Sequence, residues 1–159
     1  MKEYFNKQKN MKSIFMLLSI FIMNIGIQSC TKKVTLKAAK DDIIEVIYYK
    51  GDSIDLKVKG IYEKYYENTG SIVKIDNEFY SGDGNDNKHL MLSTKKDTIF
   101  QYENELKYKV EIKKISKDTF KSTSIYVNEY GEEYILQAIY YDKDYNIFKI
   151  VRSNRTYVK

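Results

Sequence analysis

Proline and tryptophan are absent from this 159-residue chain, and cysteine and histidine occur once each. Each absence removes a class of answers. Without proline, loops must turn on asparagine, aspartate and glycine, and only seven glycines are present. The lone cysteine, Cys30, leaves no disulfide to staple the fold. The lone histidine, His89, leaves no second imidazole to complete a zinc site, and any serine–histidine–acid triad would have to use it. No Gly-x-Ser-x-Gly elbow accompanies it. It alternates with Met91 and Ser93 beside a polar loop and reads as an ordinary strand-end histidine.

The remaining polar signals are weak. Asp83-x-Asn85-x-Asn87 has the oxygen spacing that opens a calcium loop, but Lys88 replaces the turn glycine and Thr94 the bidentate glutamate, so a solvated turn is expected. The acidic pairs Asp41/Asp42, Glu103/Glu105, Glu132/Glu133 and Asp142/Asp144 fall in turn-like segments, where carboxylates keep a surface wet. Catalytic residues, metal ligands and cofactors are therefore expected to be none, and the chain is not expected to be an enzyme. The formal charge of +5 is modest, and residues 1–29 contribute four lysines and one glutamate to it, which leaves about +2 on the remainder. Interleaved acids and that small charge argue against nucleic acid. Lysine, isoleucine, asparagine and tyrosine are abundant, but their AT-rich codons account for part of that abundance.

What the chain does have is a segregated amino terminus. Lys2, Lys7, Lys9 and Lys12 precede an uncharged apolar run from Ser13 to Ile27, the layout of a secretory signal peptide. It ends Ile27-Gln28-Ser29-Cys30, which resembles the lipobox of bacterial lipoproteins: an aliphatic residue at −3, a small residue at −1 and a cysteine. The resemblance covers only the first thirty residues. It implies a cleaved signal helix over 1–29 and a lipid-anchored domain over 30–159, with Cys30 as the acylated residue and the membrane as partner through its acyl chains. Two or more chains make such an anchor stable, since each buried CH₂ contributes roughly 0.8 kcal/mol. An uncleaved anchor is the alternative, although the strongly apolar part is shorter than the ~20 residues that span a bilayer comfortably. A start at Met11 would give a more compact signal. In that family an aspartate after the cysteine retains the protein at the inner membrane and an acidic run can direct it to the cell surface. Thr31-Lys32-Lys33 is neither, which implies the cell envelope, an outer-membrane lipoprotein on the periplasmic face.

Beyond Cys30 the dominant signal is period two. Val34/Leu36/Ala38, Ile44/Val46/Tyr48, Ile54/Leu56/Val58 and Leu106/Tyr108/Val110/Ile112 alternate with polar residues, the pattern of half-buried strands. Lys50-Gly51-Asp52-Ser53 reads as a turn, Ile61–Asn68 as a strand closing through Asn68-Thr69-Gly70 onto Ser71–Ile75, and Tyr134–Tyr141 as a central strand apolar on both faces. Leu90/Leu92, Thr98–Tyr102, Thr119–Asn128, Ile147–Val151 and Arg155–Val158 complete the set. Turn signals roughly every 8–12 residues and no long helical pattern predict an all-β domain, a single antiparallel meander barrel or sandwich of about eight to ten short strands. A lipocalin-like barrel is compatible with this pattern, but the Gly-x-Trp signature of that family is missing.

All but Tyr4 of the sixteen tyrosines follow Cys30, three times as doublets: Tyr48-Tyr49, Tyr65-Tyr66 and Tyr140-Tyr141. In strands each doublet sends one ring inward and one outward. Most should simply pack, but several could line a cavity or a platform. The expectation is a binding module for a small amphipathic ligand or an envelope protein partner; a structural subunit of an envelope complex is the alternative. A short tether, Thr31–Lys33, would hold the domain near the bilayer with Lys32, Lys33, Lys37 and Lys40 available to headgroups.

Overall fold

A computed structural model of the protein describes residues 31–60, 62–81, 88–103, 106–152 and 155–159. The expected signal helix, Cys30 and the Asp83–Asn87 segment lie outside them. The described chain is all β, and Thr31–Lys159 forms one compact unit. Its strands are β1 (Lys32–Ala38), β2 (Ile44–Lys50), β3 (Ser53–Lys59), β4 (Glu67–Ile75), β5 (Glu78–Ser81), β6 (His89–Leu92), β7 (Thr98–Glu103), β8 (Leu106–Ser116), β9 (Thr119–Val127), β10 (Glu133–Asp142), β11 (Ile147–Arg152) and β12 (Arg155–Val158). The expected all-β meander is therefore present as a nearly closed, barrel-like sheet rather than a sandwich.

All twelve strands belong to one antiparallel sheet in the order β6-β5-β4-β3-β2-β1-β12-β11-β10-β9-β8-β7. Two six-strand meanders are thus sewn together by β1 and β12, through Lys37↔Val158 and Ala38↔Tyr157. The break in the barrel falls between β6 and β7, which are consecutive in the chain. There β6 lies against β8 and β9, and Ser122 Oγ of β9 donates to the Met91 carbonyl of β6 at 2.5 Å. A small cluster of Leu90, Val110 and Ile112, with Tyr80 and Ile99 against it, fastens the β7–β8 hairpin beside β5 and β6.

Turn chemistry sets the hairpins. Gly51, with φ 57°, takes the first central position of the two-residue loop between the paired Lys50 and Ser53. Asp76 and Asn77, with φ of 50° and 66°, make the two-residue loop between the paired Ile75 and Glu78, the left-handed pair of a type I′ turn. That loop creates β5, which alternation over four residues does not announce. Of the expected Ile61–Asn68 strand, only Glu67 and Asn68 are strand among the described residues, and they open β4. Tyr62–Tyr66 is turn and bend, closed by Gly60 N–H donating to the Glu63 carboxylate at 2.7 Å, and β4 runs unbroken through Asn68-Thr69-Gly70. The sheet absorbs that stretch by a register shift after Leu56, whose carbonyl accepts from Thr69 Oγ1 at 3.1 Å.

Antiparallel succession gives the barrel two ends. At one end lie the loops at Gly51, Asp76, Ser93–Asp97, Lys117 and Lys143–Asn146; at the other lie 39–43, 60–66 and 128–132. The first end is filled. Phe120 stacks on Tyr141 at 5.8 Å, Tyr141 on Tyr145 at 5.7 Å, and Phe79 meets Tyr145 edge-on at 5.0 Å. Ile47, Ile54, Ile72 and Ile147 pack around these rings, each worth about 1.5–3 kcal/mol of burial. The Tyr141 hydroxyl donates to Ser93 O at 2.6 Å and accepts from Ser93 N–H at 3.1 Å, which pins the β6–β7 turn across the barrel floor.

Candidate functional site

The second end is not filled. Between Leu56, Gly70 and Ile72 on one wall and Val110, Ser124 and Gln137 on the other lies a cavity of about 300 Å³; Ser81, His89, Met91, Tyr108, Leu136 and Arg152 line it too, as do Thr69, Ser71 and Lys109. Residue size along the inward positions explains the void. On β5 the inward side chain steps from Phe79 to Ser81, on β9 from Phe120 through Ser122 to Ser124, and on β4 from Ile72 to Gly70. Large rings stop halfway up the barrel, and hydroxyls or nothing take over. The cavity reaches solvent beside Leu136, which is half exposed at a register shift in β10.

One wall is aromatic. The His89 ring lies 5.5 Å from Tyr108, Tyr108 lies 6.0 Å from Tyr126, and Tyr126 lies 6.3 Å from Tyr134. The three tyrosines are direct register partners across β8, β9 and β10, so the ladder runs from the cavity to the rim. His89, expected to be an ordinary strand-end residue, begins β6 and faces this space with Tyr108 against its ring.

The opposite pole is charged. Arg152 on β11 places Nη2 2.9 Å from Oε1 of Glu45, and its Nε–H donates to Gln137 Oε1 at 3.1 Å. Gln137 is the register partner of Arg152 on β10. Glu45 is on β2 and fully buried, so the guanidinium reaches it past β1 and β12. The contact is an ion pair without hydrogen-bond alignment, and neither carboxylate oxygen has a hydrogen bond. Burial pushes the Glu45 carboxyl above its ordinary value, and the charge of Arg152 pulls against it. Glu45 stands behind Arg152 and does not line the cavity.

Alternation misphased this strand. The apolar set Ile44/Val46/Tyr48 suggested the core face of β2, and Val46 is fully buried, yet Val34 pairs with Ile47 and Leu36 with Glu45, so Glu45, Ile47 and Tyr49 are the residues that point inward. The doublets Tyr48-Tyr49 and Tyr140-Tyr141 do split across the sheet. Tyr49 and Tyr141 enter the filled end, while Tyr48 sits outside between Lys33 and Lys57, and Tyr140 between Lys121 and Lys149. Tyr65-Tyr66 precedes β4 and both rings are exposed. Inward tyrosines therefore pack the floor, and Tyr108 alone among the described tyrosines lines the cavity. Near the rim Tyr62 and Tyr130 stand almost fully in solvent.

Three of the acidic pairs stay in or beside turns, and the fourth, Glu103/Glu105, lies outside the residues described in full. Asp41 binds Arg155 at 3.1 Å, Glu133 binds Lys109 at 2.9 Å, and Asp142 accepts from the Asp144 and Asn146 amides, both at 2.9 Å. Among the described residues no three His, Cys, Asp or Glu side chains are grouped to hold a metal ion. No family model, curated protein or solved structure matches the chain.

Proposed function

We propose that this protein is an envelope lipoprotein, anchored through acyl chains on Cys30, that binds a small amphipathic molecule in the open half of its barrel. The observation that carries the reading is a part-filled barrel. Its void combines aliphatic and aromatic side chains with a few polar ones, among them the donor-bearing pole at Arg152 and Gln137, the composition of a small-molecule pocket. At about 300 Å³ it has twice the ~150 Å³ that accommodates benzene, so it suits a short chain or a pair of rings and not a long lipid.

The anchor and the pocket fit together. Thr31 is the only residue between Cys30 and β1, and β1 starts at the filled end, where Lys32 pairs with Tyr49 and its ammonium meets Asn146. Acylated Cys30 then sets the floor toward the bilayer and the mouth away from it. Lys32 and Lys33 stay near the headgroups. Lys37 and Lys40, counted with them on sequence proximity, belong at the far end of β1, because a strand carries each residue roughly 3.3 Å onward. Thr31 after the cysteine supports an outer-membrane lipoprotein on the periplasmic face. A protein partner is favoured at one place, the rim, where Tyr134, Ile135 and Leu136 are exposed together on β10.

Binding is tested with residues 31–159, which hold the whole sheet and core. Fluorescence of N-phenylnaphthylamine, an uncharged apolar reporter, should rise saturably on mixing, and Ser124→Phe, which places a ring in the void, should abolish the rise without lowering Tm. No rise, or a rise untouched by that substitution, overturns the reading. Fatty-acid labelling that marks wild type and spares Cys30→Ser supports the anchor; label in both or in neither removes it.

A further inference from the structure

The Glu45–Arg152 pair fixes the charge of the space beside it. We propose that the cavity selects uncharged molecules carrying a carbonyl-type hydrogen-bond acceptor, an amide, ester or ketone, and that Glu45 is the residue that excludes carboxylates. This rests on the binding reading above and adds the chemical class of the ligand.

Consider first which hydrogen-bonding groups remain at the polar pole. Arg152 directs Nε–H to Gln137 and one Nη2 edge to Glu45, and its remaining N–H groups have no partner of those two. Gln137 spends its carbonyl oxygen on Arg152, which leaves its amide N–H₂ as a donor. The pole is therefore rich in donors, and a bound molecule must bring acceptors. Ser124, nearby on the wall, can donate as well.

Charge then decides between a carbonyl and a carboxylate. An unbalanced guanidinium in an apolar-lined cavity attracts carboxylates, which it binds through two parallel hydrogen bonds. Here the guanidinium is already matched by a fully buried carboxylate 2.9 Å away. The other cation at the wall, Lys109, is held at 2.7 and 2.9 Å by Glu111 and Glu133. His89, packed on Tyr108, is the remaining group that can carry charge there. A carboxylate entering this space adds an uncompensated negative charge and loses its hydration, whereas a carbonyl accepts the same N–H groups at little desolvation cost. Glu45 does not touch the ligand. It acts through Arg152, and specificity follows from a residue one layer behind the wall.

The test displaces N-phenylnaphthylamine from residues 31–159 with octanamide and octanoate, which share a chain and differ in head charge. Both competitors are compared in the same buffer at one pH and ionic strength. Wild type should be displaced by the amide at about tenfold lower concentration than by octanoate, and Glu45→Gln should reverse that order. The double variant Glu45→Gln/Arg152→Met removes both charges together and covers the case in which Glu45→Gln alone does not fold. It should still bind the reporter but lose about tenfold in octanamide affinity. Octanoate equal to or better than octanamide on wild type overturns the proposal, as does an unchanged order in folded Glu45→Gln or undiminished octanamide affinity in the double variant. If the reporter itself does not bind wild type, the binding reading fails and this inference falls with it.

Discussion

Glu45 shows how much a single buried charge can demand of its surroundings. Both of its carboxylate oxygens are out of water and only Arg152 answers them. Replacing Arg152 with Met should cost about 3 kcal/mol at neutral pH, because an uncompensated carboxylate is left inside. Acid should restore much of that loss. A carboxyl whose folded pKa is raised favours folding when protonated, so its contribution grows as pH falls through the raised value toward the ordinary 4.5. Asp55 and Asp142 oppose this lower down. Lys50 and Ser71 hold Asp55 below the ordinary range; burial pushes Asp142 up, but Asn146 and the Asp144 amide outweigh it. Their stabilisation is lost as pH drops through those depressed values. Urea denaturation across pH should thus show the Arg152→Met deficit narrowing toward about pH 4.5 before both proteins weaken; a deficit independent of pH would contradict the assignment. A second residue, Tyr141, should cost about 1–3 kcal/mol on Tyr141→Phe, since the buried Ser93 amide and carbonyl both lose their partner. Neither role was legible beforehand. A glutamate between Ile44 and Val46 looks solvent-facing by alternation, and only the pairing of β2 with β1 shows that it is not.

At the level of strands, alternation carried β1, β3 and β8 directly, because each has one apolar and one polar face. It failed where composition ran apolar or polar throughout. Ile61–Asn68 offered β-prone tyrosines, yet Glu63 reaches back to the Gly60 amide and turns the chain before β4 can begin. β5 was missed because its four residues are announced by their turn, not by their own pattern. Asp76-Asn77 adopts the left-handed pair without glycine. Asn77→Val should therefore destabilise the protein by about 1–2 kcal/mol, while Asn77→Gly should leave it unchanged or improve it. Denaturant midpoints for the two variants check this, and equal losses would mean that the Asn77 side chain, not its backbone, matters. The cavity was also written in the strands. Phe79 to Ser81, Phe120 to Ser124 and Ile72 to Gly70 each fall in size along one face, but that taper acquires meaning only once the strands are known to lie side by side with matching heights.

For the molecule as a whole, the position of Thr31 at the filled end makes the proposed anchor and the proposed pocket testable together. In vesicles carrying the acylated protein, a fluorophore on Asp52→Cys in a floor loop should be quenched strongly by spin-labelled headgroups, and one on Tyr130→Cys at the rim only weakly. If Cys30, the sole natural cysteine, is acylated as proposed, it does not compete for either label. Stronger quenching at position 130 would turn the barrel over and place the mouth on the membrane. The seam between β1 and β12 carries a different consequence, in time and not in space. Asp41 and Arg155, which face each other across it, are 114 residues apart in the chain. Every other pairing in the sheet joins neighbours in sequence, so the two six-strand meanders can zip locally while the cylinder stays open. Contacts of such high order form late and slowly. A nascent chain in which β12 has not yet emerged holds β1 and β11 with exposed edges and cannot shut. The sheet is thereby kept open during synthesis and closes its seam only when β12 arrives. Refolding of residues 31–159 should accordingly show fast recovery of far-UV circular dichroism and a slower phase in which Tyr157 becomes buried. Removing residues 155–159 should erase that slow phase and leave the open form.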